Sequence, residues 1–156
     1  MSNEVYGIIQ MKSAPVQKTR LFKKSIKDFG ISIHEIDHTE LYNFPERHAG
    51  LSKNELAFAI TDRAGSRNAT YLIDYIDYVE GAEIGLPLKG KERLNILINL
   101  INSLFNSFSI EQLLIAITDS SQIEEVKEID LSNMKDVFYD DFEEMAPPCI
   151  LYSIKE

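Results

Sequence analysis

Residues 112–119 read Gln-Leu-Leu-Ile-Ala-Ile-Thr-Asp, and this segment decides the fold class. Its nearly continuous apolar run is typical of a central β-strand that is buried on both faces. A similar run, Leu-Ala-Phe-Ala-Ile-Thr-Asp, occupies residues 56–62. The residues flanking the two runs do not match, so we interpret them as two core strands of similar composition rather than as an internal repeat.

The elements on either side of this strand alternate between strand and helix patterns. Residues 31–41 fit either a strand or a helix, and residues 70–80 favour a strand but also fit a helix. The helix at 132–145 is predicted to be capped by Ser132. The other strands are predicted at 4–12, 55–63 and 149–154, and the other helices at 16–29 and 91–108. This order predicts one α+β domain over residues 1–156, in which three helices pack on a mixed sheet of about six strands.

Composition places the chain among ordinary globular proteins. It has 156 residues, of which 44% are hydrophobic and 26% charged, and this length fits one domain. The lone cysteine, Cys149, cannot form an intrachain disulfide, and we expect it to be a small core hydrophobe. We find no secretory signal and no apolar run of the ~18 residues that a membrane span requires. We therefore expect a cytoplasmic protein, and the abundance of Ile, Asn, Lys and Ser indicates a bacterial source.

The charge of the chain is concentrated in its last third. Residues 1–100 are neutral overall, whereas residues 101–156 carry the entire formal charge of −9. Binding to nucleic acid requires a basic surface that neutralises phosphates, so this balance argues against a nucleic-acid partner.

Much of this charge lies on the predicted helix at 132–145. Residues three and four apart share a helix face, so three of the acids are expected on one face, with two more beside them and a tyrosine among them. They are Asp136, Asp140 and Glu143, then Asp141 and Glu144, and Tyr139. One interpretation is a solvated face that keeps the protein soluble. The other is a docking face for a cationic protein, in which the acids steer association and the tyrosine supplies contact area.

A second segment combines tyrosines and carboxylates in the same way. Residues 71–80 read Tyr-Leu-Ile-Asp-Tyr-Ile-Asp-Tyr-Val-Glu. If this segment is a strand, each of its faces bears both residue types, which suits recognition of a basic protein better than a sealed core. Asp74, Tyr75, Asp77 and Tyr78 are therefore predicted as a second partner-binding patch.

A small, acidic, cytoplasmic α+β chain with these two aromatic and acidic patches resembles bacterial immunity proteins and antitoxins. Such proteins bind a cationic toxin domain, often a nuclease, and block its active site with carboxylates. The resemblance implies a binding protein and toxin inhibitor rather than an enzyme. It implies no cofactor and no catalytic residue, and the carboxylates at 136–144 would contact the toxin.

The alternative function is a zinc-dependent hydrolase. His34-Glu35-Ile36-Asp37-His38 resembles the H-E-x-x-H motif of zinc metallopeptidases, in which both histidines bind zinc and Glu35 would activate water as the base. Glu55 would be the third ligand, and His48 is the other candidate. The motif requires a helix, because on a strand His34 and His38 would lie about 13 Å apart. If residues 31–41 form a strand, they are instead a half-exposed strand with surface histidines.

Overall fold

The structure, a computed structural model, describes residues 5–13, 23–26, 31–37, 52–61, 90–117, 122–143 and 148–155. These residues form seven strands and two helices. In chain order the elements are β1 (Val5–Met11), β2 (Lys23–Ile26), β3 (Ile31–Ile36), β4 (Glu55–Thr61), α1 (Gly90–Ser107), β5 (Ile110–Ile117), β6 (Glu125–Ile129), α2 (Met134–Phe142) and β7 (Ile150–Ile154).

The strands form one mixed sheet in the order β2-β3-β4-β1-β5-β7-β6. Every neighbouring pair is antiparallel except β6 and β7, which run parallel on either side of α2 in the chain. The prediction of a mixed α+β fold is therefore confirmed. Both apolar runs are interior strands, since β4 lies between β3 and β1, and β5 lies between β1 and β7.

The centre of the sheet depends on a close approach at Gly7. This residue pairs with Phe58 of β4 on one side and with Ile115 of β5 on the other. A Cβ atom built on Gly7 would lie 2.2 Å from Cζ of Phe58 and 2.7 Å from the main-chain oxygen of Leu114. Glycine is therefore required here so that the Phe58 ring can pass over β1.

The two helices cover one face of the sheet. The buried side chains of α1 recur at steps of three and four, as the sequence predicts, and those of α2 occupy positions i, i+4 and i+8. The buried residues of α1 include Leu94, Leu97, Ile98, Ile101 and Leu104, and those of α2 are Met134, Phe138 and Phe142. Phe138 and Phe142 stack on each other, and both meet the ring of Tyr152 edge-on.

The opposite face of the central strands is also buried, and it is built from smaller side chains. Ala59 and Ala116 flank Tyr6, and Ala57 and Leu114 flank Ile8, in two rows that cross β4, β1 and β5. Burial on both faces explains why β4 and β5 are nearly continuous in apolar residues. Cys149 belongs to this second face and is buried, as expected.

Part of the predicted helix at 16–29 is wrong. Residues Lys23–Ile26 form β2, which pairs antiparallel with β3 across a short connection. The spacing of the apolar residues in this segment favours a helix, whereas pairing with β3 favours a strand. Within residues 23–26 the strand is formed. Only two helices, not three, are therefore found in the described part of the chain. Residues 31–36 form a strand, which settles that part of the ambiguity at 31–41.

Two further expectations need correction. The described part of the sheet contains seven strands, close to the expected number of about six, but β6 was not predicted because its sequence, Glu-Val-Lys-Glu-Ile, is mostly charged. The residue that caps α2 is Asn133 rather than Ser132, and its side chain makes no capping bond. Instead, the Asn133 side-chain oxygen accepts a hydrogen bond from the main-chain N–H of Asp130 at 3.1 Å. The segment 70–80 lies outside the described residues.

Candidate protein-docking surface

Helix α2 has four sides, and each side faces a different part of the protein or solvent. Its buried side packs on the sheet, and a second side faces α1. There, Nζ of Lys135 donates to Oδ1 of Asn99 at 3.3 Å, and the hydroxyl of Tyr139 donates to Oδ1 of Asn95. Tyr139 is therefore half-buried and bound within the protein, so only part of its ring can serve a partner.

A third side of α2, which carries Asp141, faces β6 and β7. Oδ1 of Asp141 accepts a hydrogen bond from Nζ of Lys127 on β6 at 2.5 Å, and Oδ2 accepts one from the hydroxyl of Tyr152 on β7 at 2.6 Å. Only 9% of the Asp141 side chain is exposed. Both carboxylate oxygens thus bind groups of this chain, and Asp141 joins the helix to the two edge strands.

The two partners of Asp141 are held in their protonated forms. The hydrogen bond with Asp141 raises the pKa of Lys127 above its usual value, and burial opposes this effect only in part. Burial, reinforced by the bond to Asp141, raises the pKa of Tyr152 well beyond the usual value of a phenol. Lys127 therefore remains a cation and Tyr152 a hydrogen-bond donor over the whole physiological pH range.

The fourth side of α2 faces solvent and carries three acids. Asp136, Asp140 and Glu143 are exposed and lie at positions i, i+4 and i+7, as the sequence predicts. Within the residues that the structure describes, none of these three carboxylates makes a hydrogen bond or an ion pair. The three define the outward acidic face of α2.

This face belongs to a strongly acidic part of the molecule. Residues 122–143, which include β6 and α2, contain eight acids and two lysines, for a net charge of −6. Lys127 is paired with Asp141 and lies 3.5 Å from Glu125, while Lys135 is directed toward α1. The basic side chains are thus engaged locally, and the surface presented to solvent is negative.

The remaining predicted contact residues lie outside the described part of the chain. They are Glu144 and the second patch of Asp74, Tyr75, Asp77 and Tyr78. Their assignment stays a prediction.

The residues of the zinc alternative are not brought together where the structure describes them. His34 and Glu35 lie on strand β3, so the helix that the motif requires is not formed over Ile31–Ile36. His34 is paired with Ala59, which is four residues along β4 from Glu55, a separation of about 13 Å. Oε1 of Glu55 accepts a hydrogen bond from the main-chain N–H of Ser52 at 3.2 Å, which fixes the turn before β4. His38 lies outside the described residues.

Other groupings of metal-binding side chains among the described residues are no more favourable. No cluster of three or more His, Cys, Asp or Glu side chains there has the geometry to hold a metal ion. Neither of the two helices described is long and apolar enough to cross a membrane.

Sequence reasoning missed the residues that hold the acidic helix in place. Lys127 lies in a charged edge strand, and Tyr152 appears in the sequence only as one residue of a short final strand. A usable signal does exist, because Lys127 is the single base among the charged residues of β6. A half-buried base of this kind is favoured by an acid on the element that packs above it.

Comparison with known proteins finds no matching family model, no similar curated protein and no similar solved structure.

Proposed function

We propose that this protein is an acidic binding protein of the immunity type, which neutralises a cationic toxin domain by covering its active site. The outward acidic face of α2, Asp136, Asp140 and Glu143, would contact the basic residues with which such a domain holds its substrate. A nuclease domain fits this description best, because its active site is built to bind phosphates.

One observation carries this proposal, namely the different use of neighbouring carboxylates on α2. Asp141 is almost buried and binds Lys127 and Tyr152, whereas Asp140, next to it, is exposed and unpaired among the described residues. The fold therefore uses one acid of the helix and leaves three like charges together in solvent. Like charges at spacings of three and four destabilise a helix by about 0.2–0.5 kcal/mol per pair. Asp136, in the first turn, is favoured by the helix dipole, but Asp140 and Glu143 near the other end are not, so helix stability does not explain them.

The rigid mounting of α2 supports the same function. The helix is joined to α1 through Asn95 and Asn99 and to the sheet through Asp141. Charged groups on a rigid helix need little ordering when a partner binds, so more of their attraction contributes to affinity. The concentrated negative field accelerates encounter with a basic partner by about 10- to 1,000-fold at low salt.

The proposal is tested with the product of the neighbouring gene. We expect that gene to encode a protein with a basic toxin domain, whose growth arrest is relieved when this protein is co-expressed. The triple charge reversal D136K/D140K/E143K should abolish the relief and slow association of the purified proteins by about tenfold or more. Circular dichroism and the midpoint of urea unfolding would establish that the variant remains folded.

The matched control is a single exchange at an equally exposed acid elsewhere. Asp140→Lys and Glu111→Lys each change the net charge from −9 to −7, but Glu111 lies on β5, away from α2. If association is slower with Asp140→Lys but not with Glu111→Lys, the result supports the outward acidic face as the contact surface. Equal association rates for the two variants, or protection that survives the triple reversal, would contradict the proposal.

A further inference from the structure

Among the strands described, β6 is the last on its side of the sheet, and part of its main chain is directed away from β7. The N–H of Glu125 donates to the oxygen of Cys149 at 3.2 Å, and the oxygen of Ile129 accepts from the N–H of Lys155 at 2.8 Å. Main-chain groups alternate in direction along a strand, so Val126 and Glu128 direct theirs outward. In the described part of the chain no strand pairs with this outer edge.

Apolar exposure is concentrated at the same place. Val126 is 69% exposed and Leu131, in the turn that follows β6, is 61% exposed. These are the large apolar side chains that stand exposed among the described residues, and both lie within six positions of the sequence. An edge strand whose outward main-chain groups pair with no described strand, and which exposes a valine, is suited to strand addition, in which main-chain bonds supply affinity.

The charge of the edge determines the kind of strand that fits. Glu125 and Glu128 are exposed on β6, whereas Lys127 is bound to Asp141 and Glu125. A second copy of β6 would bring the same acids together, and like charges directly opposite each other destabilise a strand pair. A segment rich in lysine or arginine would meet opposite charges instead.

We propose that the outer edge of β6 accepts an extended, basic segment of a partner protein, which becomes an eighth strand of the sheet. The proposal rests on the proposed function, because it takes the partner to be cationic, and it adds the manner of binding. The segment would bond to the outward main-chain groups of Val126 and Glu128. Because side chains alternate between the faces of a strand, basic side chains on one face of the segment would lie beside Glu125. On the other face, a basic side chain would lie beside Glu128 and an apolar one would cover Val126.

The test uses a defined probe on the whole protein. The probe is a blocked peptide of about ten residues that alternates lysine and threonine, long enough to pair along the five residues of β6. The control peptide has the same sequence and charge but carries N-methyl groups on alternate residues, on the edge that would face β6. Each lost main-chain bond weakens binding, so we expect the control to bind about tenfold more weakly or worse.

Hydrogen exchange measured by NMR locates the pairing. The unmethylated peptide should slow exchange of the amide hydrogens of Val126 and Glu128, and the N-methylated peptide should not. Equal affinity of the two peptides, absence of binding by the first, or unchanged exchange at both amides would each overturn the proposal.

A variant pair provides a second route. Val126→Pro removes one outward N–H without removing a bond to β7, because proline is tolerated on a free strand edge. Val126→Thr keeps that N–H. We expect the proline variant to bind the unmethylated peptide about tenfold more weakly than the threonine variant. Equal affinity would overturn the proposal, and if Val126→Pro does not fold, the two peptides on the natural protein decide the question.

Failure here can be distinguished from failure of the proposed function. Pairing at β6 does not use the side chains of Asp136, Asp140 or Glu143, and the peptide assay needs no natural partner. Toxin binding that depends on α2, combined with equal affinity for the two peptides, overturns strand addition alone. If toxin binding is unchanged by the triple reversal D136K/D140K/E143K, the proposed function is overturned, whatever the affinities of the two peptides.

Discussion

The centre of the sheet and its β6–α2 end use opposite chemistry. In the centre, β4 is buried at every residue and pairs with β1, which pairs in turn with β5. At the other end, residues 122–143 carry a net charge of −6, and β6 exposes most of its side chains.

Under the proposed function, the comparison separates stability and recognition in space. Apolar burial in the centre accounts for the fold, and a fully buried large aliphatic or aromatic side chain contributes about 1.5–3 kcal/mol. At the edge, α2 is held by its buried apolar stripe and by the hydrogen bonds of Asp141, so the exposed carboxylates of Asp136, Asp140 and Glu143 are not needed to hold the helix. Four predictions test this separation, from the largest expected effect to the smallest.

Gly7→Ala should destabilise the protein by about 3 kcal/mol, because the new methyl group overlaps the Phe58 ring and the main-chain oxygen of Leu114. Urea unfolding measures the loss. Phe58→Leu in the same chain should recover only part of it, since the contact with the main-chain oxygen remains. A loss below about 0.5 kcal/mol would show that the centre is less tightly packed than described.

Asp141→Ala should lower the free energy of unfolding by about 2 kcal/mol, because it leaves the buried hydroxyl of Tyr152 without its acceptor and releases Lys127. Asp140→Ala is the adjacent control and should change stability by no more than about 0.5 kcal/mol. If urea unfolding shows the same loss of stability for both variants, Asp141 does not differ from the exposed acids in its contribution to the fold.

Tyr152→Phe should cost about 1 kcal/mol at neutral pH and should also change the alkaline stability profile. The pKa values of Tyr152 and Lys127 are both raised in the folded protein, so the folded state retains protons that the unfolded state loses. Their stabilisation is complete below about pH 10 and is lost as the pH rises further. From pH 8 to 11, the free energy of unfolding should therefore fall less steeply with pH in Tyr152→Phe than in the natural protein. Identical slopes for the two proteins would contradict the network.

Val126→Thr should change the free energy of unfolding by no more than about 0.5 kcal/mol, because the side chain is mostly exposed on β6. The same substitution at Val5, which is fully buried on β1, should cost about 1–3 kcal/mol, because it buries a hydroxyl. Thermal unfolding of the two variants provides the comparison. Similar losses at both positions would mean that β6 is packed like the centre.

The accuracy of sequence-based prediction followed the same division. Strands β1, β4, β5 and β7 and helix α1 were predicted because apolar periodicity reports burial, and burial is greatest in these elements. Strand β6 was missed because an edge strand that faces solvent has no such pattern. The helix predicted across Lys23–Ile26 was wrong because pairing with β3 depends on residues that the local pattern does not contain.

At the site, periodicity was sufficient for the outward acids but not for their neighbour. Asp136, Asp140 and Glu143 are exposed on one face of α2, as the spacing predicts. Asp141 lies at the border of the buried stripe, and whether such a residue faces water or protein depends on what lies beneath it. Lys127 and Tyr152 lie there, and they come from strands 14 and 11 residues away in the sequence.

The position of β1 has a consequence for how the chain is made. Val5 is paired with Ile60 on one side and with Ile117 on the other, so its partners follow it by about 55 and 112 residues. A ribosome adds roughly 5–20 residues per second, so β1 is synthesised several seconds before β5 can reach it. During that interval β1 can pair with at most one of its two neighbouring strands, β4. The pairing of β1 with β5 can therefore form only after Ile110–Ile117 has left the ribosome, whereas its pairing with β4 can form earlier.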